Sequence, residues 1–235
     1  MPASLATPAA FLLQNPRIAY FYRMKTLKEI IAGNRIFFSL WFLFFFVGLI
    51  FLVRVGKAES FVDLNPYHRT MLDTIFAWIT FMGDGLFTVI VFVVLLIRRY
   101  WSRATQVMAA FLLSALVAQI LKNLFSMPRP KQFFHPGVYP YFIDGVTHVG
   151  FASFPSGHTT SIFALATLLA VFTRDRKTKI ACLLGGVLVG YSRIYLGQHF
   201  LGDVLTGSLI GTITAVLIHW LFVQKLQRYP VFARG

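Results

Sequence analysis

Residues 36–53 read IFFSLWFLFFFVGLIFLV, a run in which only Ser39 and Gly48 are not large and apolar. A stretch of this length is close to the ~20 residues needed to cross the hydrocarbon core of a bilayer. Comparable runs follow over about Phe76 to Ile97, Ala104 to Phe125, Ser156 to Phe172, Ile180 to Leu196 and Val204 to Val223. The expected fold is therefore all-α, a polytopic membrane protein with a bundle of six transmembrane helices. Gly83-Asp84-Gly85 interrupts the second run, so a short surface helix over Thr70 to Phe81 can precede a shorter span there. Composition agrees: the 235 residues are 57% hydrophobic, with 26 Phe and a mean hydropathy of +0.69. Soluble domains are less apolar, and the length suits roughly one domain.

The net charge of +14 raises nucleic acid as a partner, but the placement of the cations excludes it. Of 22 Lys and Arg, fifteen fall in alternate segments, at 17–35, 98–103, 174–179 and 225–234. The other side holds seven: Arg54, Lys57, Arg69, Lys122, Arg129, Lys131 and Arg193. The positive-inside rule then puts both termini in the cytoplasm, whereas a nucleic-acid surface needs one contiguous basic stripe. Residues 1–35 are expected as a cytoplasmic segment, 36–224 as the membrane domain and 225–235 as a cytoplasmic tail. Within the first, residues 17–31 suit an interfacial helix with Tyr20, Met24, Leu27 and Ile31 on one side. No secretory signal is evident, and Met24 is an alternative start. Cys182 stands alone, which excludes a disulfide framework and Cys-based metal sites.

Three short polar islands interrupt the apolar background, all toward the outer face. Lys122 is followed by Arg129-Pro130; Pro155-Ser156-Gly157-His158 precedes the fourth run; Ser192-Arg193 leads to His199 and Asp203. Polar groups at membrane depth are costly and seldom present without a task. With residues 199–203 helical, His199 and Asp203 share a face at i and i+4. The carboxylate then takes the proton on one ring nitrogen and leaves the other as a lone pair, the arrangement of an oriented nucleophile. The plain alternative is an interfacial His-Asp hydrogen bond. Pro155 to His158 suits a helix start, with Pro in the first turn, Ser capping and Gly permitting close approach. A helix amino end also seats phosphate, and His158 beside it is placed to act as general acid; the alternative is an ordinary capped helix. Arg129 and Arg193 can hold phosphate oxygens bidentately, with Lys122 as a point charge, although a Lys here can also simply snorkel to the interface.

Taken together, Lys122-x6-Arg129-Pro130, Pro155-Ser156-Gly157-His158 and Ser192-Arg193-x5-His199-x3-Asp203 resemble the three-part signature of the type 2 phosphatidic acid phosphatase (PAP2) superfamily. The resemblance spans residues 122–203 in the usual order with no departure at a signature position, and six spans fit the family's membrane branch. It implies a lipid phosphatase in which His199 attacks phosphorus and forms a phosphohistidine, with Asp203 orienting it. His158 protonates the departing group. Lys122, Arg129, Ser156, Gly157 and Arg193 hold the phosphate oxygens. No metal or other cofactor is implied.

Zinc could in principle take His158, His199 and Asp203, but three cations beside them repel a dication. His135 and His148 lie in the aromatic Lys131 to Phe154 connection, read as an interfacial belt ahead of a headgroup pocket. Asp84 reads as a helix cap and His219 as structural. The expected activity is hydrolysis of a lipid phosphate monoester or pyrophosphate at the outer face of a bacterial inner membrane. The partners are the bilayer and its lipid phosphate, with no obligatory protein partner evident. Phosphotransfer to a second lipid is the nearest alternative, an anion-binding transporter a different class, and a soluble haloperoxidase a distant one. Undecaprenyl pyrophosphate is the favoured substrate over phosphatidylglycerophosphate, phosphatidic acid and lipid A.

Overall fold

The computed structural model of the chain describes residues 26–228, and every regular element among them is a helix. In chain order these are α1 (Leu27–Gly33), α2 (Arg35–Val55), α3 (Lys57–Asp63), α4 (Thr70–Phe81), α5 (Gly85–Ile97), α6 (Trp101–Phe125), α7 (Pro130–Phe133), α8 (Gly157–Val171), α9 (Arg176–Tyr195) and α10 (Leu201–Arg228). The alternative start at Met24, the first part of the expected interfacial helix and the tail beyond residue 228 lie outside the described residues. The described part of that helix differs from expectation. It begins only at Leu27, where Thr26 and Glu29 close a reciprocal capping box. Its buried residue is Ile30, against Val171 and Trp220, while Leu27 and Ile31 are exposed.

By length and composition α2, α6 and α10 can each cross a bilayer, and α4 with α5 supplies a fourth if the bent pair is one span. That pair turns by 49° at the glycine-flanked break, where Asp84 caps α5 through the amide of Leu86 at 2.8 Å. The exposed faces are apolar: Phe42, Leu43, Phe46, Val47, Ile50 and Val53 all point outward from α2. A water-facing helix would reverse that pattern.

Two of the expected spans are different in kind. Helix α8 is 15 residues long, and 12 of them are buried. Lodged between α6, α9 and α10, it meets protein rather than lipid, which is why it tolerates Thr159, Thr160, Ser161 and Thr167 on its buried faces. Helix α9 is longer but opens on Arg176 and Lys177 and closes on Arg193. The α8–α10 contact is close enough to exclude side chains. A Cβ on Gly207 would fall 2.7 Å from the Ser156 carbonyl, and one on Gly211 would fall 2.8 Å from the Ala164 nitrogen. Small residues permit this backbone approach, a common solution where helices pack inside membranes. The seam fixes α10, which carries Asp203, against the amino end of α8.

Candidate active site

Four helix ends converge on one side of the bundle. The amino end of α8 is set by Ser156, whose hydroxyl caps the Thr159 amide at 3.4 Å and accepts the Thr159 hydroxyl at 2.9 Å. Pro155 stands before this cap rather than in the first turn, and Gly157 is the first helical residue. The Ser156 amide donates to the Asp203 carbonyl at 3.1 Å, so the start of α8 is bonded directly to α10.

The carboxyl end of α9 explains the spacing from Arg193 to His199. Gly197 adopts φ +65°, the left-handed conformation that glycine reaches without strain. The Gly197 amide then bonds the Ile194 carbonyl at 2.9 Å and the Gln198 amide bonds the Arg193 carbonyl at 2.9 Å. These two bonds form a Schellman ending. It reverses the chain and delivers His199 beside α10. His199 therefore lies ahead of the helix, not inside it as expected, yet its Nδ1 is 3.4 Å from Asp203 Oδ2. Asp203 sits in the first turn of α10, and the same Oδ2 accepts the Phe200 amide at 2.9 Å and the Ser153 hydroxyl at 2.5 Å. Burial pulls the His199 imidazole down to about 4, with the Asp203 hydrogen bond and charge opposing and Arg193 and Arg129 reinforcing it. A neutral ring whose Nδ1 faces a carboxylate carries its lone pair on Nε2.

The cations come from three further places. Lys122, in the last turn of α6, donates from Nζ to the Ala152 carbonyl at 2.8 Å. Arg129, just before α7, donates from Nη1 to Gln198 Oε1 at 2.6 Å. Arg193 donates from Nη1 to the Thr80 hydroxyl at 2.8 Å, while its buried Nε has no hydrogen-bond partner. All three partners are neutral, so the positive charge of the cradle is not cancelled by a bonded carboxylate. Gln198 also donates to the Val146 carbonyl, tying Arg129 to the connection over residues 131–154.

The result is a cavity of about 490 Å³ lined by Lys122, Arg129, Gly157, His158, Arg193 and His199, closed by Thr80 and Asp84 on one side and by Gly145, Val146 and His148 on another. Ser156 and Asp203 are buried behind this wall. The connection over residues 131–154 divides in two. Tyr139, Phe134 and Phe142 pack with Phe61 and Phe200 into an aromatic cluster, whereas the 145–148 stretch faces the cavity. His135 is exposed and does not line it, and His219 bonds Gln106 at 2.8 Å, distant from it in the bundle. Ser153, Gln198 and Thr80 are absent from the expected site. The first two lie beside signature residues, a hint available in the sequence; nothing in the sequence marks Thr80. A cation set of one buried and two half-buried side chains, with a helix amino end and an oriented imidazole, is equipped to bind a tetrahedral oxyanion and attack it.

Comparison with known proteins agrees. The PAP2 superfamily profile matches residues 103–227. The lipid A 4'-phosphatase of Porphyromonas gingivalis is 30% identical over 179 residues, covering 74% of this chain and 75% of that protein. The undecaprenyl-diphosphatase BcrC of Bacillus subtilis is 34% identical over 159 residues, covering 67% and 77%. The crystal structure of Aquifex aeolicus LpxE superposes with a TM-score of 0.60 at 30% identity, over 69% of this chain and 93% of that one. A transmembrane PAP2 type phosphatidylglycerolphosphate phosphatase from Bacillus subtilis shares the fold, with a TM-score of 0.60 at 23% identity, over 81% and 98%.

Proposed function

The chain belongs to the PAP2 superfamily, and from that premise we propose an integral-membrane hydrolase that releases phosphate from a lipid phosphate monoester or pyrophosphate through a phosphohistidine. The observation that carries this reading is the single cavity shared by Lys122, Arg129, His158, Arg193 and His199. Nε2 of His199 attacks phosphorus as the bond to the leaving oxygen breaks, and His158 gives that oxygen its proton. Asp203 holds Nδ1–H and stabilises the charge that develops on the ring. Lys122, Arg129 and Arg193 bind the equatorial oxygens together with the amino end of α8 at Gly157, which Ser156 shapes by capping. A water then attacks the phosphohistidine, passing a proton to His158; the P–N bond breaks and phosphate leaves with His199 restored.

The cation asymmetry supports six membrane passes, with α4–α5, α8 and α9 counted beside the three long helices, both termini in the cytoplasm and the cavity opening outward from a bacterial inner membrane. Among substrates we favour undecaprenyl pyrophosphate. The matching relatives include an undecaprenyl-diphosphatase, and a polyprenyl diphosphate needs no headgroup recognition beyond its phosphates. Purified protein in detergent, offered undecaprenyl pyrophosphate, lipid A, phosphatidylglycerophosphate and phosphatidic acid without added metal, should release phosphate fastest from the first and be inhibited by vanadate. His199→Ala should abolish release. Full activity in that variant would overturn the mechanism, and label passing from a donor to a second lipid would replace hydrolysis by transfer.

A further inference from the structure

Outside the cavity the structure holds a second, half-buried polar cluster, centred on His68 in the connection between α3 and α4. Its Nδ1 lies 3.1 Å from Asp73 Oδ1 and its Nε2 lies 2.9 Å from Asn65 Oδ1. The orientation of the Asn65 amide is set independently. Nδ2 of this fully buried residue donates to the Ile194 carbonyl at 3.0 Å and to the Tyr195 carbonyl at 3.2 Å, so its oxygen must be the atom facing His68. The Tyr139 hydroxyl, 3.4 Å from Nε2, already donates to the Asn65 carbonyl at 2.8 Å and can only accept from the ring. Every group facing either nitrogen is therefore an acceptor. A neutral imidazole has one N–H and cannot satisfy both sides; the imidazolium has two. The ring is stacked on Tyr195 at 4.3 Å and faces Tyr141 at 5.5 Å, and aromatic faces favour a cation.

We infer that His68 is a doubly protonated clasp at pH 7 and a positioning residue for the phosphate cradle. Three elements meet at it. Asp73 belongs to α4 and also accepts the Tyr195 hydroxyl at 2.8 Å. Asn65 grips the carbonyls at the end of α9, immediately after Arg193. Tyr139 anchors the connection over residues 131–154, whose Val146 carbonyl holds Gln198, the partner of Arg129. Along α4, Asp73, Ala77 and Thr80 follow at i, i+4 and i+7 on one face, and Ala77 and Thr80 line the cavity. The clasp thus sets the register of α4 on α9, and with it the Thr80 hydroxyl on Arg193. Burial is the largest influence and takes the His68 pKa below the ordinary histidine value, with the charge and hydrogen bond of Asp73 opposing it; the case for the charged ring is the set of acceptors around it. Asn65 Oδ1 and the two tyrosine faces add to the side of the charged form. The charged group acting on it is Asp73 on α4; Tyr139, Tyr141 and Tyr195 supply the titratable hydroxyls that face it, and Arg69 is its neighbour in the chain.

The test is nitrogen NMR of protein carrying ¹⁵N-imidazole histidine in lipid nanodiscs at pH 7, with His68→Gln assigning the signal. Two protonated ring nitrogens on His68 are expected; a single-proton tautomer would overturn the inference. The positioning role rests on the phosphatase reading and is measured separately. His68→Gln should raise KM about tenfold, the equivalent of about 1.4 kcal/mol, with kcat nearly unchanged. His68→Arg, planar and charged, should restore KM. Unchanged KM in His68→Gln, or no restoration by His68→Arg, would overturn the positioning role. The NMR measurement needs no substrate, so a failure of the phosphatase reading leaves the protonation result standing.

Discussion

Ser153 Oγ donates to Asp203 Oδ2 at 2.5 Å across 50 residues of chain, on the carboxylate oxygen that lies 3.4 Å from His199 Nδ1. Ser153 is fully buried and its own amide is fixed on the Met127 carbonyl at 3.0 Å. The hydroxyl thereby limits how the carboxylate can rotate beneath the imidazole.

Ser153→Ala leaves Oδ2 with the Phe200 amide and the histidine alone. Loss of a hydrogen bond to a charged group costs about 1.5–3 kcal/mol, so kcat should fall by about tenfold to a hundredfold while KM stays within a factor of about two. Ser153→Thr, which keeps the hydroxyl, should recover most of the loss. Equal activity in Ser153→Ala and the parent would show that the bond does not serve Asp203.

The role assigned to His158 depends on how badly the leaving oxygen needs a proton. His158→Ala should slow a lipid phosphate by about 10²–10⁴-fold. Against p-nitrophenyl phosphate, whose leaving group departs unprotonated, the loss should be far smaller. An equal loss on both substrates would assign His158 to binding instead.

Activity against pH should show an acid limb set by the proposed nucleophile. With the His199 imidazole pulled down to about 4, the nucleophile is already neutral well below the ordinary histidine value of about 6.5. Rate therefore climbs as pH rises through the region near 4. Asp203→Asn removes the carboxylate that favours the imidazolium and should move the acid limb lower still. An acid limb near 6.5 in kcat/KM would mean that His199 is not the group being titrated.

Packing along the α8–α10 seam is open to a thermal test. Gly211→Ala forces a carbon into a space 2.8 Å from the Ala164 nitrogen, and overpacking of this kind costs about 1–3 kcal/mol. The melting temperature in detergent should drop by several degrees. Gly185→Ala, with no atom within 4 Å of the added carbon, should melt like the parent. Matching melting temperatures for all three proteins would contradict the close approach.

How much of this was legible beforehand varies with the range of the interactions. Runs such as Ile36 to Val53 announce α2 directly, because lipid-facing helices are apolar all round. Ser156 and the paired His199 and Asp203 are local features, within a turn or two of chain; Ser156 caps its helix as its position implies, whereas His199 approaches Asp203 from ahead of the helix. The capping box Thr26-x-x-Glu29 was equally local and marks a helix start that the apolar periodicity over 17–31 obscures. The reverse holds for Thr80, Gln198 and Ser153. They meet Arg193, Arg129 and Asp203 across 113, 69 and 50 residues, and a lone Thr, Gln or Ser carries no periodicity to betray such a pairing. Helix α8 is short for a related reason: sheltered by its neighbours, it need not match a bilayer's thickness.

The glycine seam has a mechanical corollary. Where Gly207 and Gly211 bring the backbones of α8 and α10 together, the amino end of α8 and the segment carrying Asp203 travel as one rigid block, which the proposed mechanism uses to keep anion seat and nucleophile in register. On the proposed function, a lipid headgroup is then admitted by movement elsewhere, at the kinked α4–α5 pair and the connection over residues 131–154. Laboratory evolution toward a new headgroup would find its useful mutations in those flanking parts, and crosslinks that immobilise them would stall turnover while a staple across the seam would not.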